Sequence, residues 1–533
     1  MYNNSKNTII APLIFFTALA MGVFIGAYFF GELGNSKNNS SVKKLNEILQ
    51  YVENEYVDKV DADTLVEQSI EDILSRLDPH TSYIPKQDLS IVHSQLEGGF
   101  EGIGVEFQII EDTIYVVSAI PGGPSESQGI QSGDKIIKVN GKQVAGNGIT
   151  SEGVFKLLRG KKGTEVKIKI YRSSNRKLLN FNIIRDKIPT HSVETSFMIN
   201  DKIGFIKVNR FAETTYDEFH DALSNLKDKG MKQLILDLRD NPGGYLEVAV
   251  KMVDELLAGE KLVVYTNGKA HNYNSSYSTN KDGLFEKGPI IVLINEGSAS
   301  ASEILSGALQ DHDRALIVGR RSFGKGLVQR PIALSDGSEL RLTISKYYTP
   351  SGRCIQKPMG KDYDQDLINR FNHGELYNKD SIKLNTKEEF KTSKGRKVYG
   401  GGGIMPDVFI PRDTTEITHL LGEIYSKNIL REIALNYVAI NKLALEKQKL
   451  EGFSKSFDIE KNLFPELKIA LKRNNINYTE KELSRSKFLI INNLKAYIAK
   501  GIWGEKAFWP IFLQQDKLYL KAQTLFPEAE KMK

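Results

Sequence analysis

Three closely spaced serines mark where this chain could do chemistry. Asn295-Glu296-Gly297-Ser298-Ala299-Ser300-Ala301-Ser302-Glu303 follows Gly288-Pro289-Ile290-Ile291-Val292-Leu293-Ile294, a short apolar, β-branched run that reads as a buried strand. Beyond Ala301, the residues Ile304, Leu305, Ala308 and Leu309 recur at helical spacing. The serines therefore lie where a strand becomes a helix. Backbone N–H groups at such a turn point outward unpaired and favour an anion, so a serine there has part of an oxyanion hole beside it. A serine hydroxyl still needs a base. His312 sits between Asp311 and Asp313 at the expected helix end. Lys325, in Ser322-Phe323-Gly324-Lys325-Gly326, is the better candidate. Its flanking glycines permit close backbone approach, and Phe323, Leu327 and Val328 can desolvate an ammonium and favour its neutral form. Spacing alone equally admits a plain glycine-serine turn and a surface lysine.

These residues resemble those of the C-terminal processing peptidases, or tail-specific proteases, which are Ser-Lys serine endopeptidases. The family's Asn-x-Gly-Ser/Thr-Ala-Ser-Ala-Ser-Glu run and its Phe-Gly-Lys-Gly-x-Val-Gln run are both present, and the resemblance extends over roughly residues 40–410. It implies Ser300 as nucleophile, Lys325 as base and Gln329 as the residue that orients the lysine, while Ser298 and Ser302 are not the nucleophile. Asp237-Leu238-Arg239-Asp240-Asn241-Pro242-Gly243-Gly244 matches the family's Asp-Leu-Arg-x-Asn-Pro-Gly-Gly. The resemblance implies Gly243 or Gly244 as one backbone oxyanion donor and Ala301 as the other. Leu77-Asp78-Pro79-His80-Thr81-Ser82-Tyr83 is similar to a further family segment; Pro79 breaks the preceding helix, and His80 reads as part of a structural turn rather than as a catalytic group.

The remaining elements must position this constellation. Leu45, Ile48, Val52 and Tyr56 mark one helix, and Val66, Ile70, Ile73, Leu74 and Leu77 the next. Residues 97–187 resemble a PDZ domain. Ser132-Gly133-Asp134-Lys135-Ile136-Ile137-Lys138-Val139-Asn140-Gly141 is close to its hairpin, with Asn140-Gly141 as the tight turn. A PDZ groove adds a peptide as an extra strand and holds its carboxylate with backbone amides, here expected around Gly102, Ile103, Gly104 and Val105, with residues 153–159 as the helix beside the groove. Strands and helices then alternate through Leu234 to Arg239, Ile290 to Ile294 and Ala315 to Gly319, an α/β pattern. Thr349-Pro350-Ser351-Gly352-Arg353 matches another family segment, and the polar stretch at about 360–397, with little periodicity, reads as a mobile excursion. The whole reads as an α/β protein with a crotonase/Clp-like protease core, an inserted β-rich PDZ domain, an N-terminal membrane-anchor helix and an α-helical C-terminal extension. Its expected divisions are residues 1–34, 35–95, 96–188, 189–411 and 412–533.

Composition limits the alternatives. A net charge of +6 over 533 residues, with no compact basic block, argues against nucleic acid as a partner. The single cysteine, Cys354, excludes an intrachain disulfide, and no His/Cys cluster has zinc-ligand spacing, so neither metal nor organic cofactor is expected. Residues 9–30 carry no charge and are long enough to span a bilayer, which predicts an uncleaved single-pass anchor in a bacterial inner membrane. The resemblance places the catalytic part outside the cytoplasm. The expected function is a serine endopeptidase that recognises unfolded or tail-exposing proteins through its PDZ groove, with a second copy or an adaptor as a further partner. The rival is a non-catalytic PDZ scaffold on a protease-like fold. An acyl-CoA enzyme is a third reading, since the family's core resembles the crotonase fold, but an inserted PDZ domain argues against a CoA ligand.

Overall fold

The structure, a computed structural model, describes residues 40–94, 96–173, 175–360 and 362–532. The proposed anchor at residues 9–30 lies outside them; among the described residues no helix is long and apolar enough to cross a membrane. The chain forms two compact units, the first ending at Leu77 and the second being Asp78–Lys533. The first holds α1 (Ser40–Glu55) and α2 (Ala62–Ser75), the two helices expected from the apolar spacing; Asp61 caps α2 by accepting from the Thr64 N–H.

The second unit opens with β1 (Ser82–Ile84) and then a small antiparallel sheet. Its strands β2 (Val105–Ile110), β3 (Thr113–Ala119), β4 (Lys135–Val139), β5 (Glu165–Arg172) and β6 (Lys177–Ile184) pair in that order, with α3 (Ser151–Leu158) packed across them. Ile114, Val116, Ile136, Val154, Val166, Ile170 and Ile183 fill the space between and are fully buried. Asn140 and Gly141 take φ of 47° and 81°, the left-handed pair that a two-residue hairpin turn demands. β2 is an edge strand, and its Phe107 meets Phe155 of α3 edge-on at 5.5 Å, so the free edge runs beside the helix as a peptide-accepting groove requires. Gly102, Ile103 and Gly104 are buried at the head of that edge, with Val105 half-buried.

The main sheet follows. Strands β7 (Val193–Met198), β8 (Ile203–Val208), β9 (Gln233–Asp237), β12 (Ile290–Ile294), β13 (Ala315–Gly319) and β16 (Val408–Phe409) lie side by side; β7 is antiparallel to β8 and every other pair is parallel. One face, bearing Ile206, Leu236, Val292 and Ile317, is covered by α4 (Thr215–Asp228), α5 (Leu246–Asp254) and α6 (Ala301–Asp311). The alternate residues Phe205, Ile235, Ile291, Leu293 and Val318 face the other way, as the two-residue period of a strand dictates. A second, antiparallel sheet carries β10 (Leu262–Gly268), β11 (Ser275–Ser278), β14 (Leu327–Ala333) and β15 (Glu339–Tyr348), with β1 on the edge of β15. The stretch expected to be a mobile excursion is ordered: it contains α7 (Asp366–Asn372) and a short hairpin pairing residues 389–391 with 397–399.

The C-terminal extension is helical, as expected, with α8 (Ile429–Glu446), α9 (Ile459–Arg473), α10 (Glu480–Trp503), α11 (Glu505–Phe512), α12 (Lys517–Gln523) and α13 (Phe526–Glu530). It does two structural jobs. Leu518, Tyr519, Ala522, Phe526 and Ala529 cover the second face of the main sheet, so the last two helices complete its core. Farther back, Leu435 of α8 packs on Ile110 and Tyr115 of the PDZ sheet, and Lys500 of α10 reaches Glu106 of β2 at 2.9 Å.

Candidate active site

The apolar strand β12 ends in the turn of residues 295–300, and α6 begins at once behind it. Ser300 holds φ of 55° and ψ of −115°, a conformation rarely adopted by a residue with a Cβ and one that stores strain where the surroundings enforce it. The enforcement is visible. The Asn295 amide ties the turn to the neighbouring loop: its Oδ1 accepts from Asp240 N at 2.9 Å and its Nδ2 donates to Asp240 Oδ1 at 2.8 Å. Ala299 N donates to Asn241 O at 3.0 Å. Ser298 Oγ donates to Leu238 O at 2.7 Å, and Ser302 Oγ to Asn241 O at 2.9 Å; both serines are fully buried and serve the same lacing. Ser300 alone of the three is only half-buried.

The loop of Asp240, Asn241, Pro242, Gly243 and Gly244 is pressed against this turn. A Cβ on Gly243 would stand 2.7 Å from Ser300 Cβ and 2.8 Å from Ala301 N, and one on Gly244 would stand 2.1 Å from Phe211 O. Both positions also take positive φ, 99° and 147°, so glycine is required twice over. Gly243 N–H is already engaged, donating to Asn241 Oδ1 at 2.9 Å. Among the described residues, neither Gly244 N–H nor Ala301 N–H has a protein acceptor.

Lys325 is half-buried, and burial, with the charge of Arg341 as the next cause, pushes its ammonium below the ordinary lysine range. Its Nζ donates to Gln329 Oε1 at 2.9 Å. Gln329 lies on β14 where the pairing with β15 shifts register, Val328 opposing Ser345 and Gln329 opposing Thr343, so that Ile344 of β15 is the extra residue. Gln329 Nε2 in turn donates to His80 O. Sequence reading treated His80 as a turn residue, and a turn it is: Asp78 Oδ1 accepts from His80 N and Thr81 N, each at 2.8 Å. The turn nevertheless reaches the lysine through its backbone carbonyl. The imidazole is held neutral, its pKa pushed down to about 4 by burial and by the Lys325 charge.

Two residues tie the serine segment to the lysine segment, and sequence reasoning gave neither a role. Glu303, fully buried, accepts at Oε2 from Ser300 N at 2.8 Å and Lys325 N at 2.9 Å, and at Oε1 from Gly324 N at 2.7 Å and Ser322 Oγ at 2.5 Å. Burial raises its pKa to about 7 even against those four donors. The Ser300-x-x-Glu303 spacing is a capping-box signal, so its local half was available. Tyr347 Oη lies 2.5 Å from Lys325 O and 3.1 Å from Ser300 O. By contrast, His312 Nε2 bonds Leu262 O at 2.7 Å, and Cys354 has its thiol pushed up by burial; neither contacts Lys325 or Ser300. Among the described residues no group of three or more His, Cys, Asp or Glu side chains could hold a metal ion.

Residues 202–367 match the model of peptidase family S41, residues 102–184 match the PDZ domain, and residues 420–504 match a family of unknown function. A carboxy-terminal-processing protease of Bartonella bacilliformis is 35% identical over 422 residues, covering 77% of this chain and 94% of that protein. The chain belongs to the carboxy-terminal processing proteases of peptidase family S41. Other members agree: the Bacillus subtilis carboxy-terminal processing protease CtpB is 36% identical over 61% of this chain and 67% of its own. A probable CtpA-like serine protease of Staphylococcus aureus is 37% identical over 62% and 66%. A solved photosystem II D1 C-terminal processing protease aligns at 25% identity with a TM-score of 0.37, covering 70% of this peptidase and 87% of that chain.

Proposed function

We propose that this peptidase cleaves extracytoplasmic proteins with a Ser300-Lys325 dyad after its PDZ groove has taken up a substrate's C-terminal tail. Ser300 attacks the scissile carbonyl; Lys325, neutral, takes the hydroxyl proton and returns it to the leaving amine. Gln329 holds the lysine amine through the bond to Oε1. Ala301 N–H and Gly244 N–H stabilise the oxyanion, and Gly243, whose own amide is engaged, lets the loop approach Ser300. The observation that carries this reading is the shared support of the two segments: one buried carboxylate, Glu303, binds the backbone of Ser300 and of Lys325, so serine and lysine are set by a single group. Gly102, Ile103, Gly104 and Val105 head the free edge of β2, where a tail would add as a strand. The uncharged residues 9–30 anchor the protein in the inner membrane with the catalytic part outside the cytoplasm.

The test is digestion of an unfolded substrate with and without an apolar C-terminal tail, alongside labelling with a fluorophosphonate. Wild type should label and should cut the tailed substrate with the lower KM. Ser300→Ala should do neither. Labelling at a residue other than Ser300, or equal KM values for the two substrates, would overturn the nucleophile or the tail-reading respectively.

A further inference from the structure

The stretch from residue 356 onward closes on the lysine loop from both sides. Lys357 N donates to Gly324 O at 2.9 Å, and Gln356 Oε1 accepts from Gly326 N at 2.8 Å, so the two neighbours of Lys325 are both held by this stretch. From α7, the buried Arg370 donates to Ser322 O at 3.0 Å and Arg321 O at 2.7 Å, the backbone just upstream. Lys357 Nζ stands 4.1 Å from the centre of the Phe323 ring and 4.0 Å from that of Tyr363, and donates to Tyr363 O at 3.1 Å. This cation-aromatic stack fixes Tyr363 in place. The Tyr363 hydroxyl then meets His80 Nε2 at 2.6 Å, with the two rings edge to face at 5.4 Å.

We infer that Tyr363 is a positioning residue for the lysine: it anchors His80, whose carbonyl orients Gln329, whose Oε1 orients Lys325 Nζ. Each link is a hydrogen bond, between Tyr363 Oη and His80 Nε2, from Gln329 Nε2 to His80 O, and from Lys325 Nζ to Gln329 Oε1. The turn carrying His80 is otherwise tied through Asp78 to Thr343 and by Thr81 to the same residue, bonds that hold its far side. The Tyr363 bond holds the ring side. Neither His80 nor Tyr363 changes charge in the working range: burial keeps His80 neutral above about pH 4 and raises the Tyr363 hydroxyl to about 12. The link is therefore geometric rather than a pH switch.

This inference rests on the Ser-Lys reading, and its test separates the two. Tyr363→Phe removes one hydroxyl and keeps the ring that Lys357 covers. With fluorescein-labelled β-casein as substrate, loss of one orienting hydrogen bond should lower kcat about 5- to 10-fold with KM unchanged. The decisive measurement is a cycle with Gln329→Ala: if Tyr363 acts through Gln329, adding Tyr363→Phe to Gln329→Ala should lower kcat no further. His80→Ala, which keeps the carbonyl but loses the ring, should match Tyr363→Phe and be non-additive with it. A full multiplicative loss in the double variant, or a Tyr363→Phe enzyme within about twofold of wild type, a change smaller than one hydrogen bond, would overturn the inference while leaving the dyad standing. Failure of the dyad itself shows elsewhere, as retained turnover by Lys325→Arg.

Discussion

Glu303→Gln isolates the cross-link between serine and lysine. The carboxylate accepts four hydrogen bonds, two at each oxygen. An amide of the same shape has one acceptor oxygen, so two of the four donors must face an NH2 group instead. Losing two bonds to a charged acceptor costs about 3–6 kcal/mol. Set against this is relief from burying a charge: the rise from 4.5 to about 7, on the order of 3 kcal/mol, is what remains after the four donors have lowered the pKa, so the burial penalty that the neutral amide escapes is larger than that. The two terms largely offset in global stability but not locally, because the lost bonds are those that place Ser300 and Lys325. The variant should therefore melt within a few degrees of wild type, while kcat falls on the order of a hundredfold, the cost expected of about an ångström of misplacement. The pH dependence of stability gives a second readout. Folding raises the Glu303 pKa, so its favourable contribution is fully present below about pH 4.5 and is lost as the pH rises through about 7. Wild type should lose stability across that window, and Glu303→Gln should remove that part of the slope. Turnover of casein and denaturant melts at pH 5 and pH 8 measure both quantities. A variant with wild-type kcat would refute the cross-link, whatever its stability.

The dyad makes a complementary prediction: Lys325→Arg should be as inactive as Lys325→Ala, because arginine stays protonated, and wild-type activity should rise with pH along a basic-side titration rather than through a histidine step near 6.5. Ser302→Ala should lose about 1 kcal/mol of stability, one buried hydrogen bond, and Ser298→Ala about 2 kcal/mol, since its Oγ both donates to Leu238 O and accepts from Asn295 N; both should still label with fluorophosphonate. Leu435→Ala removes the α8 contact with Ile110 and Tyr115; at about 2–5 kcal/mol for a buried leucine it should speed amide exchange in β3 and leave β12 unchanged. His312→Ala should keep full turnover, since its imidazole bonds Leu262 O rather than a residue of the dyad; loss of activity in a folded His312→Ala protein would show that the far end of α6 matters to the site.

What the sequence disclosed and what it concealed follow from the range of the interactions. The strand-to-helix turn with its three serines and the lysine between glycines were legible because their constraints are local, leaving small residues at fixed offsets, whereas the choice of Ser300 among the serines and of the glycines at 243 and 244 came from the family resemblance. The PDZ hairpin was legible for the same reason, with Asn140 and Gly141 marking it. The helices of the extension were legible from their spacing, but their destination was not. The continuous apolar runs of β8, β9 and β12 require cover on both faces, yet nothing in Leu518, Tyr519 or Phe526 says that these residues supply it. The lysine's supports were concealed more completely. His80 works through its carbonyl, which every residue type possesses, so its identity carries no signal of that role. The stretch after residue 356 is held by Lys357, Arg370 and Tyr363 acting singly, not by a repeating buried face. Periodicity reports only repeating faces, so residues 360–397 read as mobile although Tyr363 meets the His80 ring and Arg370 grips the backbone before Lys325. It follows that the parts of this site hardest to read are those where a side chain grips backbone: Glu303 on the amides of Ser300, Gly324 and Lys325, Gln329 on the His80 carbonyl, Arg370 on two further carbonyls. Substitution of the gripped residue leaves such a bond intact, whereas substitution of the gripping side chain removes it. The variants that expose how the lysine is held are therefore at Glu303, Gln329, Arg370 and Tyr363, and only Gln329 among them was singled out by the sequence.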